Sequence, residues 1–326
     1  MNLSRRQLVH LAAGACALPV ISRIAHAQSY PSRYVRFIVP FPPGGSADPI
    51  ARILANRLSE MWGQQVVIEN KGGAGGNLGA QSAATAAPDG YSIFLGGAFM
   101  AKNPFLYSSS GYDPAVDLAP VIKVCEFYNV MVVSNTSPVK SVREFIDYAK
   151  ANRGKVTFAS SGTGAEPHMS AELFRKLTGI EMTHVPYRGA GPALNDVVPG
   201  RIDVFFGTMP STLPLYRSGQ LRGLAVTSAK RSEFAPELPT IAEAGVPGYE
   251  YASWYGLYVP AKTPNDIIRK LHDDMAEALM YPQIKQRLAE IATVPTPSTP
   301  DELAALLKSD MELWGPIIKA ANIKAE

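Results

Sequence analysis

The chain has 326 residues, with 31 Lys and Arg against 28 Asp and Glu. Three of the basic residues lie within the first 27 positions, which contain no acid, so the rest of the chain carries equal numbers of positive and negative side chains. This neutral balance, with charges scattered along the sequence, argues against a nucleic-acid partner or a membrane-surface partner. No later stretch has the roughly eighteen consecutive apolar residues that a membrane span requires.

The first 27 residues have the pattern of an export signal. Arg5 and Arg6 precede a largely apolar stretch over residues 8–24, and residues 25–27 (Ala-His-Ala) supply the small side chains that a signal peptidase accepts. We therefore expect cleavage after Ala27 and a periplasmic location. The adjacent arginines also fit a twin-arginine signal, which would carry the chain across the membrane in a folded state, so the twin-arginine and Sec routes both stay open.

The two cysteines are not predicted to form a disulfide. Cys16 leaves with the signal; it could accept a lipid, but residues 13–15 lack the leucine-like residue of a lipoprotein signal, which favours a soluble mature chain. Cys125 is then alone in an apolar stretch, where we expect a buried, unreactive thiol.

The segment after the signal is longer than one compact core usually holds, so two domains of about 150 residues each are expected. Short β-branched runs alternate with amphipathic segments in two series, which is typical of two parallel-sheet α/β units. The predicted strands cover residues 35–39, 66–69 and 92–95, then 156–159, 182–185, 204–206 and 221–227, and the clearest helices cover 49–62, 167–177, 264–279 and 301–314.

Two of the predicted strands run into turns built mainly of Gly, Ser, Pro and Thr. The first turn is residues 41–49 (Phe-Pro-Pro-Gly-Gly-Ser-Ala-Asp-Pro), and the second turn is residues 160–168 (Ser-Ser-Gly-Thr-Gly-Ala-Glu-Pro-His). Each turn opens a helix, with Asp48 as the predicted cap of the first. Glycine lets a ligand approach the backbone closely, and a helix start offers unpaired N–H groups and about half a positive charge. Each turn is therefore a candidate anion seat, and the two together suggest a clamp.

Two long extended runs, residues 121–134 and 249–260, are rich in Val, Tyr and Phe and frame the second α/β series. A lobe inserted between two crossing strands leaves a cleft with a two-strand hinge, an arrangement that suits ligand capture by closure.

Several motifs, in this order along the chain, resemble the Bug family, the periplasmic substrate-binding proteins of tripartite tricarboxylate transporters. They are Phe41-Pro42-Pro43-Gly44-Gly45 followed by Asp48 and Arg52, Gly73-Ala74-Gly75-Gly76-Asn77, Ser161-Gly162 followed by His168, Val185-Pro186-Tyr187-Arg188-Gly189, and Pro239-Thr240-Ile241-Ala242-Glu243-Ala244-Gly245.

The resemblance implies a type II periplasmic binding protein fold, with lobe 1 formed by residues 28–128 and 252–326 and lobe 2 by residues 129–251. It also implies a monomer that binds a small organic acid (a dicarboxylate, tricarboxylate or aromatic acid) through main-chain amides and passes it to membrane transporter subunits. The residues carried over as ligand-binding are Pro43, Gly44, Gly45, Ser46 and Asp48, then Ser160, Ser161, Gly162, Thr163, Gly164 and His168, with Gly97, Ala98, Tyr187, Gly189 and Asp203 expected by position to line or support the cleft.

The chain departs from the family pattern at two places. Glu166 puts a carboxylate at the lip of the second turn, where it could repel a second ligand carboxylate or bond a ligand hydroxyl or amine. Residues 97–102 are more apolar than in relatives, which leans towards a bulkier or aromatic acid. Lys102 and Arg188 are interpreted either as surface charges or as anion partners, and Trp254 and Tyr255 either as hinge packing or as ligand walls.

An enzyme is not predicted. No serine lies in a G-x-S-x-G elbow, no phosphate loop is complete, and the histidines lack metal-ligand spacing, so we expect no cofactor and no metal. His168 is expected to tie its turn to neighbouring backbone more than to act as a base. A ligand-sensing periplasmic component remains an alternative to transport, and a secreted hydrolase is the weaker alternative.

Overall fold

The computed structural model describes residues 30–320 and 323–325. The predicted export signal, residues 1–27 with cleavage after Ala27, lies outside the described residues. Within the described part, every helix is too short or too polar to cross a lipid bilayer.

Ten strands in the described residues form one continuous sheet, and helices connect most of them. The strands are β1 (Val35–Val39), β2 (Val66–Asn70), β3 (Ser92–Gly97), β4 (Leu118–Ser134), β5 (Thr157–Ser160), β6 (Thr183–Pro186), β7 (Val204–Thr208), β8 (Leu221–Val226), β9 (Ala252–Pro260) and β10 (Val294–Pro295). The helices are α1 (Ala47–Trp62), α2 (Asn77–Ala84), α3 (Phe99–Leu106), α4 (Val142–Ala151), α5 (Glu166–Thr178), α6 (Ala190–Val197), α7 (Met209–Arg217), α8 (Asn265–Met280), α9 (Pro282–Glu290) and α10 (Pro300–Ala320).

The sheet has the order β2-β1-β3-β9-β4-β7-β5-β6, and both β8 and β10 also pair with β4. In each half, the strands that precede the short crossover helices are parallel: β1 with β2 and β3, and β5 with β6 and β7. The predicted alternation of strands and helices is confirmed in both series: six of the seven β-branched runs form parallel strands, whereas the run 221–227 forms β8, which pairs antiparallel with β4.

The long strand β4 joins the two halves of the sheet. Its residues 118–128 pair antiparallel with β9, whereas residues 129–134 pair with β7 and β8. The two predicted extended runs are thus β4 and β9. Cys125 lies in β4 and is fully buried, and burial raises the pKa of its thiol to about 12, which agrees with the predicted unreactive cysteine.

Each half of the sheet has its own hydrophobic core. Phe94 and Tyr258 are fully buried in the first half, and Phe158, Phe174 and Phe206 are fully buried in the second. A fully buried side chain of this size contributes about 1.5–3 kcal/mol relative to an exposed one. The core of the second half also takes in Trp314 and Ile318, so α10 packs against that half as well.

The starts of α10 and α1 differ in their capping. At α10, the Thr299 hydroxyl accepts the Glu302 N–H at 3.2 Å while the Glu302 carboxylate accepts the Thr299 N–H at 2.8 Å, a capping box. The prediction of Asp48 as the cap of α1 is wrong, because the helix already begins at Ala47 and Asp48 lies inside its first turn.

A candidate ligand cleft between two glycine-rich turns

The first and second turns lie at the carboxyl ends of β1 and β5, the edge of a parallel sheet where ligands bind in open α/β folds. A small cavity of about 20 Å³ separates them, with room for about one water molecule. Its lining residues come from both halves of the molecule. They are Phe41, Gly45, Ser46, Ser161, Ala165, Glu166, Pro167, Ala190, Thr208 and Tyr255.

The first turn reaches the cavity through Gly45 and Ser46. The Ser46 hydroxyl lies 2.8 Å from the Tyr255 hydroxyl, a buried hydrogen bond that links the start of α1 to β9. Pro43 and Gly44 are exposed on the rim; a Cβ built at Gly44, where φ is +92°, would lie 3.6 Å from Cα of Gly191 in the other half.

Asp48 supports the first turn from below the cavity. Its carboxylate accepts the Asn70 side-chain amide at 2.9 Å and Arg52 Nε at 2.8 Å. It does not line the cavity. Asp48 is thus a residue that holds the turn in place, and its charge is directed at Arg52 and Asn70.

The second turn is held by a pair of stacked histidines, of which His168 is buried and His184 is half-buried. Gly164 N–H donates to His168 Nδ1 at 3.0 Å, and the Ser160 hydroxyl lies 2.6 Å from His184 Nε2. The two imidazoles stack with centroids 4.0 Å apart. Burial is the main cause that lowers the pKa of His168 to about 2 and that of His184 to about 4, so both rings are neutral at physiological pH.

His168 therefore ties the loop, as expected, but the structure does not bring it to the cavity. It lines a separate, larger pocket together with His184 and Arg175. His168 is two residues after Glu166, the first residue of α5, and at about 100° per residue it points about 200° away, to the opposite face of the helix.

The remaining predicted positions lie around the cavity without lining it. Gly97 packs under Tyr255, since a Cβ built there would lie 2.7 Å from the Tyr255 ring, and Ala98 is buried beside it. A Cβ at Gly189 would lie 2.7 Å from Pro42 of the first turn. The Tyr187 hydroxyl donates to Asp196 at 2.7 Å.

Among the second-turn residues, Ser161 lines the cavity, and Gly162, Thr163 and Gly164 lie against the other half. A Cβ at Gly162, where φ is +133°, would lie 3.7 Å from Cα of Gly75. The Tyr107 hydroxyl donates to the Thr163 carbonyl at 2.9 Å. The glycine-rich stretch 73–76 is thus a contact surface for the second turn.

Asp203 lies away from the residues around the cavity. Its carboxylate accepts the Thr157 N–H at 2.8 Å and the Thr157 hydroxyl at 2.7 Å. Asp203 precedes β7 and Thr157 begins β5, and the amino ends of parallel strands lie at the sheet edge opposite to the turns that follow the strands. Asp203 therefore does not line the cavity, and its carboxylate orients the backbone of β5 at the opposite edge of the sheet.

Lys102 is neither a surface charge nor an exposed anion partner, the two interpretations that the sequence allowed. Its side chain is 1% exposed, and Nζ lies 3.0 Å from Glu166 Oε2 and 2.6 Å from the Tyr251 hydroxyl. Arg188, by contrast, is exposed. A single lysine within the apolar run 97–106 was the sequence signal for a buried ion pair, because a lysine is almost never fully buried unless it is paired.

Two aromatic positions left open by the sequence are now distinguished. Tyr255 lines the cavity and packs on Phe127 with ring centroids 5.0 Å apart, whereas Trp254 donates its indole N–H to Asp310 at 2.8 Å. Thr208, at the end of β7, also lines the cavity and was not anticipated. Over residues 30–320 and 323–325, no cluster of His, Cys, Asp and Glu has the arrangement of a metal site.

Comparison with known proteins gives consistent matches over most of the chain. A family model described as the tripartite tricarboxylate transporter family receptor matches residues 50–323. Protein BugT of Bordetella pertussis (strain Tohama I) is 35% identical over 329 residues, which cover 99% of this chain and 99% of BugT.

Two solved structures are similar in both sequence and fold. R. palustris Rpa4515 with adipate is 39% identical with a TM-score of 0.88, covering 90% of this chain and 99% of Rpa4515. The periplasmic binding protein BugD is 33% identical with a TM-score of 0.87, covering 91% of this chain and 100% of BugD.

Proposed function

The chain belongs to the tripartite tricarboxylate transporter receptor family, and we propose that it captures a small organic carboxylate between its lobes and presents it to membrane transporter subunits. The predicted family and the predicted two-lobed type II periplasmic binding protein fold are confirmed. The family and its structural neighbours are solute-binding proteins, so the prediction that the chain is not an enzyme is also confirmed.

The observation that carries the proposed binding mode is that two helix starts, at Ala47 and Glu166, border one cavity. We propose that main-chain amides of residues 43–46 and 160–164 hold the ligand carboxylate. The described residues that line the cavity include no lysine or arginine, so the backbone is the source of positive potential there.

The free energy that each interaction contributes decides how many hydrogen-bond donors the proposed binding mode needs. A helix start contributes at most about 2 kcal/mol to anion binding when partly buried. A dissociation constant near 1 μM requires about 8 kcal/mol. Charge-assisted hydrogen bonds contribute about 1.5–3 kcal/mol each, so several amides and hydroxyls of both turns must bind the acid together.

The proposed lobes are residues 28–128 with 252–326, and residues 129–251. The change of β4 from β9 to β7 and β8 after residue 128 supports the first boundary, and the start of β9 at Ala252 supports the last. Since the cavity is smaller than any organic acid, ligand entry requires the lobes to separate, and β4 and β9 are the two connections that would bend.

We propose that the protein acts as a monomer in the periplasm after cleavage behind Ala27. BugD, at 33% identity, is described as a periplasmic binding protein, which supports this location. N-terminal sequencing of the exported protein tests the cleavage position, and light scattering tests the monomer.

Binding is tested on protein purified from the periplasm. Native mass spectrometry looks for a co-purified organic acid, and calorimetry then measures affinities for aliphatic monocarboxylates and dicarboxylates, tricarboxylates and aromatic acids. Adipate is a suitable first dicarboxylate because the structure of Rpa4515, a relative at 39% identity, contains it. We expect micromolar affinity for at least one acid, with a higher melting temperature in its presence. No binding across the whole panel would contradict the proposal.

A further inference from the structure

The only charged side chain among the described residues that line the cavity is Glu166. It is the first residue of α5, and only 6% of its surface is exposed. A buried carboxylate at the wall of a site that receives an anion is unfavourable unless a cation compensates it.

The compensating cation comes from the other half of the molecule. Lys102 lies on α3 and places Nζ 3.0 Å from Glu166 Oε2. Tyr251 completes the group: its hydroxyl accepts from Lys102 Nζ at 2.6 Å and donates to the same carboxylate oxygen, Oε2. Burial first, and then the Glu166 charge, raise the pKa of Tyr251 well above its usual value, which keeps this phenol a donor.

Lys102 uses two of its three ammonium donors within the protein, on Glu166 and Tyr251. Besides its two hydrogen bonds, its ammonium group lies 5.1 Å from the centroid of the Tyr251 ring and 5.2 Å from that of Trp314, within the range of cation–π attraction. Lys102 is not among the residues that line the cavity. The ion pair is therefore neutral overall, but it turns its negative end towards the cleft.

All the side-chain hydrogen bonds described for Glu166 use Oε2. No described hydrogen bond takes up Oε1, so the carboxylate keeps this acceptor, and Glu166 lines the cavity together with Ser161, Thr208 and Tyr255. An acceptor in this position binds a hydroxyl or ammonium group and opposes a carboxylate, because like charges in direct contact are strongly unfavourable at a desolvated interface.

We propose that Glu166 determines specificity, selecting acids that carry one carboxylate and, at the other end, a hydroxyl or ammonium donor, and rejecting dicarboxylates of the same length. The ligand carboxylate would then lie towards Gly45 and Ser46, the end of the cavity where the one nearby acid, Asp48, is bound by Arg52 and Asn70. This inference rests on the proposed function, because it assumes that the cleft binds a carboxylate.

The test uses matched ligand pairs that differ only at the far end: 4-hydroxybutyrate and succinate, 6-hydroxyhexanoate and adipate, 4-(hydroxymethyl)benzoate and terephthalate. Calorimetry measures each affinity for the wild-type exported protein. For the pair that binds best, we expect the hydroxy acid to bind at least about tenfold more tightly than the dicarboxylate, a difference of about 1.4 kcal/mol.

Glu166→Gln should remove or reverse this preference, because it deletes the opposing charge and leaves the Lys102 ammonium uncompensated. That variant carries an unpaired buried cation and could fold poorly, so the double variant Lys102→Met/Glu166→Gln, which removes both charges, is measured beside it. The matched control is Glu181→Gln in the same half of the molecule, where Glu181 pairs with Arg153 at 2.7 Å and does not line the cavity. The control should keep the wild-type preference.

The outcomes separate the two proposals. Dicarboxylates that bind the wild type as tightly as the hydroxy acids, or a preference that survives in the double variant, would overturn the role of Glu166 while leaving carboxylate capture intact. Absence of binding to every acid of both kinds would overturn carboxylate capture itself, and the inference with it.

Discussion

The two turns that border the cleft have similar sequences but are held in place by different chemistry. In the first turn, Asp48 pairs with Arg52, whose side chain is 52% exposed, and Ser46 bonds to Tyr255. In the second turn, the supporting groups are Ser160, fully buried, and His168, 3% exposed. The first turn is fixed by an ion pair near water and the second by neutral rings in the core.

This difference shows that an anion-binding site built from backbone amides depends on the side chains that orient the backbone from behind. A neutral imidazole acceptor holds Gly164 N–H in the second turn, and that acceptor is lost if the ring takes up a proton. A carboxylate, that of Asp48, holds the first turn through Arg52 and Asn70. The two turns should therefore respond differently to backbone substitution, acid and salt.

The largest expected effect comes from blocking either backbone. Gly162→Val adds a branched side chain where φ is +133°, and Gly44→Val does so where φ is +92°. We expect each to lower ligand affinity at least about 100-fold, the equivalent of losing one or two charge-assisted hydrogen bonds. Calorimetry with the best-binding acid measures the loss.

Gly154→Val is the matched control for these two variants. Gly154 has φ of +73° and no atom within 4 Å of a built Cβ, so it carries the same backbone conflict far from the cavity. Each of the three variants should lose about 1–2 kcal/mol of unfolding free energy. An unchanged affinity for Gly162→Val or Gly44→Val would refute the amide seat at that turn.

The second expected effect is loss of stability in acid that originates in the second turn. The folded-state pKa values of His168 and His184, about 2 and about 4, lie below the unfolded value of 6.5. The unfolded chain therefore binds more protons than the folded chain, and their contribution, complete above pH 6.5, is lost as pH falls from about 6.5 towards 4. The slope is up to about 1.4 kcal/mol per pH unit for each histidine.

Urea unfolding at a series of pH values between 7.5 and 4.5 measures this slope. His184→Gln, which keeps a polar group near Ser160 without a titrating ring, should reduce it. An equally steep loss in that variant would show that the acid sensitivity originates outside the histidine pair.

A smaller effect is expected from the hydroxyl contact of the first turn. Ser46→Ala leaves the buried Tyr255 hydroxyl without its 2.8 Å partner and should lower the unfolding free energy by about 1–3 kcal/mol. Adding Tyr255→Phe should cost little more, since the contact is already gone. Fully additive losses in the double variant would contradict an energetic link between the turn and β9.

The smallest effect is expected from the ion pair of the first turn. Arg52→Ala removes a half-exposed partner of Asp48, and such pairs contribute about 0–1 kcal/mol and are screened by salt. Thermal unfolding at low and high salt should show a difference from the wild type only at low salt. A loss well above 1 kcal/mol would mean that the first turn depends on its charges more than the comparison implies.

Much of the fold follows from local patterns in the sequence. The strand-to-helix junctions at both turns are marked by glycine and proline directly after β-branched runs, and those signals act within a few residues. The positions of Ser46 and Ser161 at the cavity could therefore be predicted, because each residue belongs to a turn that directly follows a predicted parallel strand.

Other parts of the site depend on contacts between distant residues. Lys102 and Glu166 are 64 positions apart and come from different halves of the sheet, so neither sequence neighbourhood shows that the other neutralises it. Asp203 lies away from the cavity because it precedes its strand, and the residues before a parallel strand lie at the edge opposite to those after it.

The position of β9 has a consequence for biosynthesis. This strand lies between β3 and β4, pairing Leu257 with Leu95 on one side and with Ile122 on the other, yet it is made more than a hundred residues after both. Until it emerges, a growing chain carries two open sheet edges, which are templates for aggregation, and their closure awaits a long-range contact that forms slowly. The first half of the molecule therefore completes its sheet only after the second half has been synthesised in full.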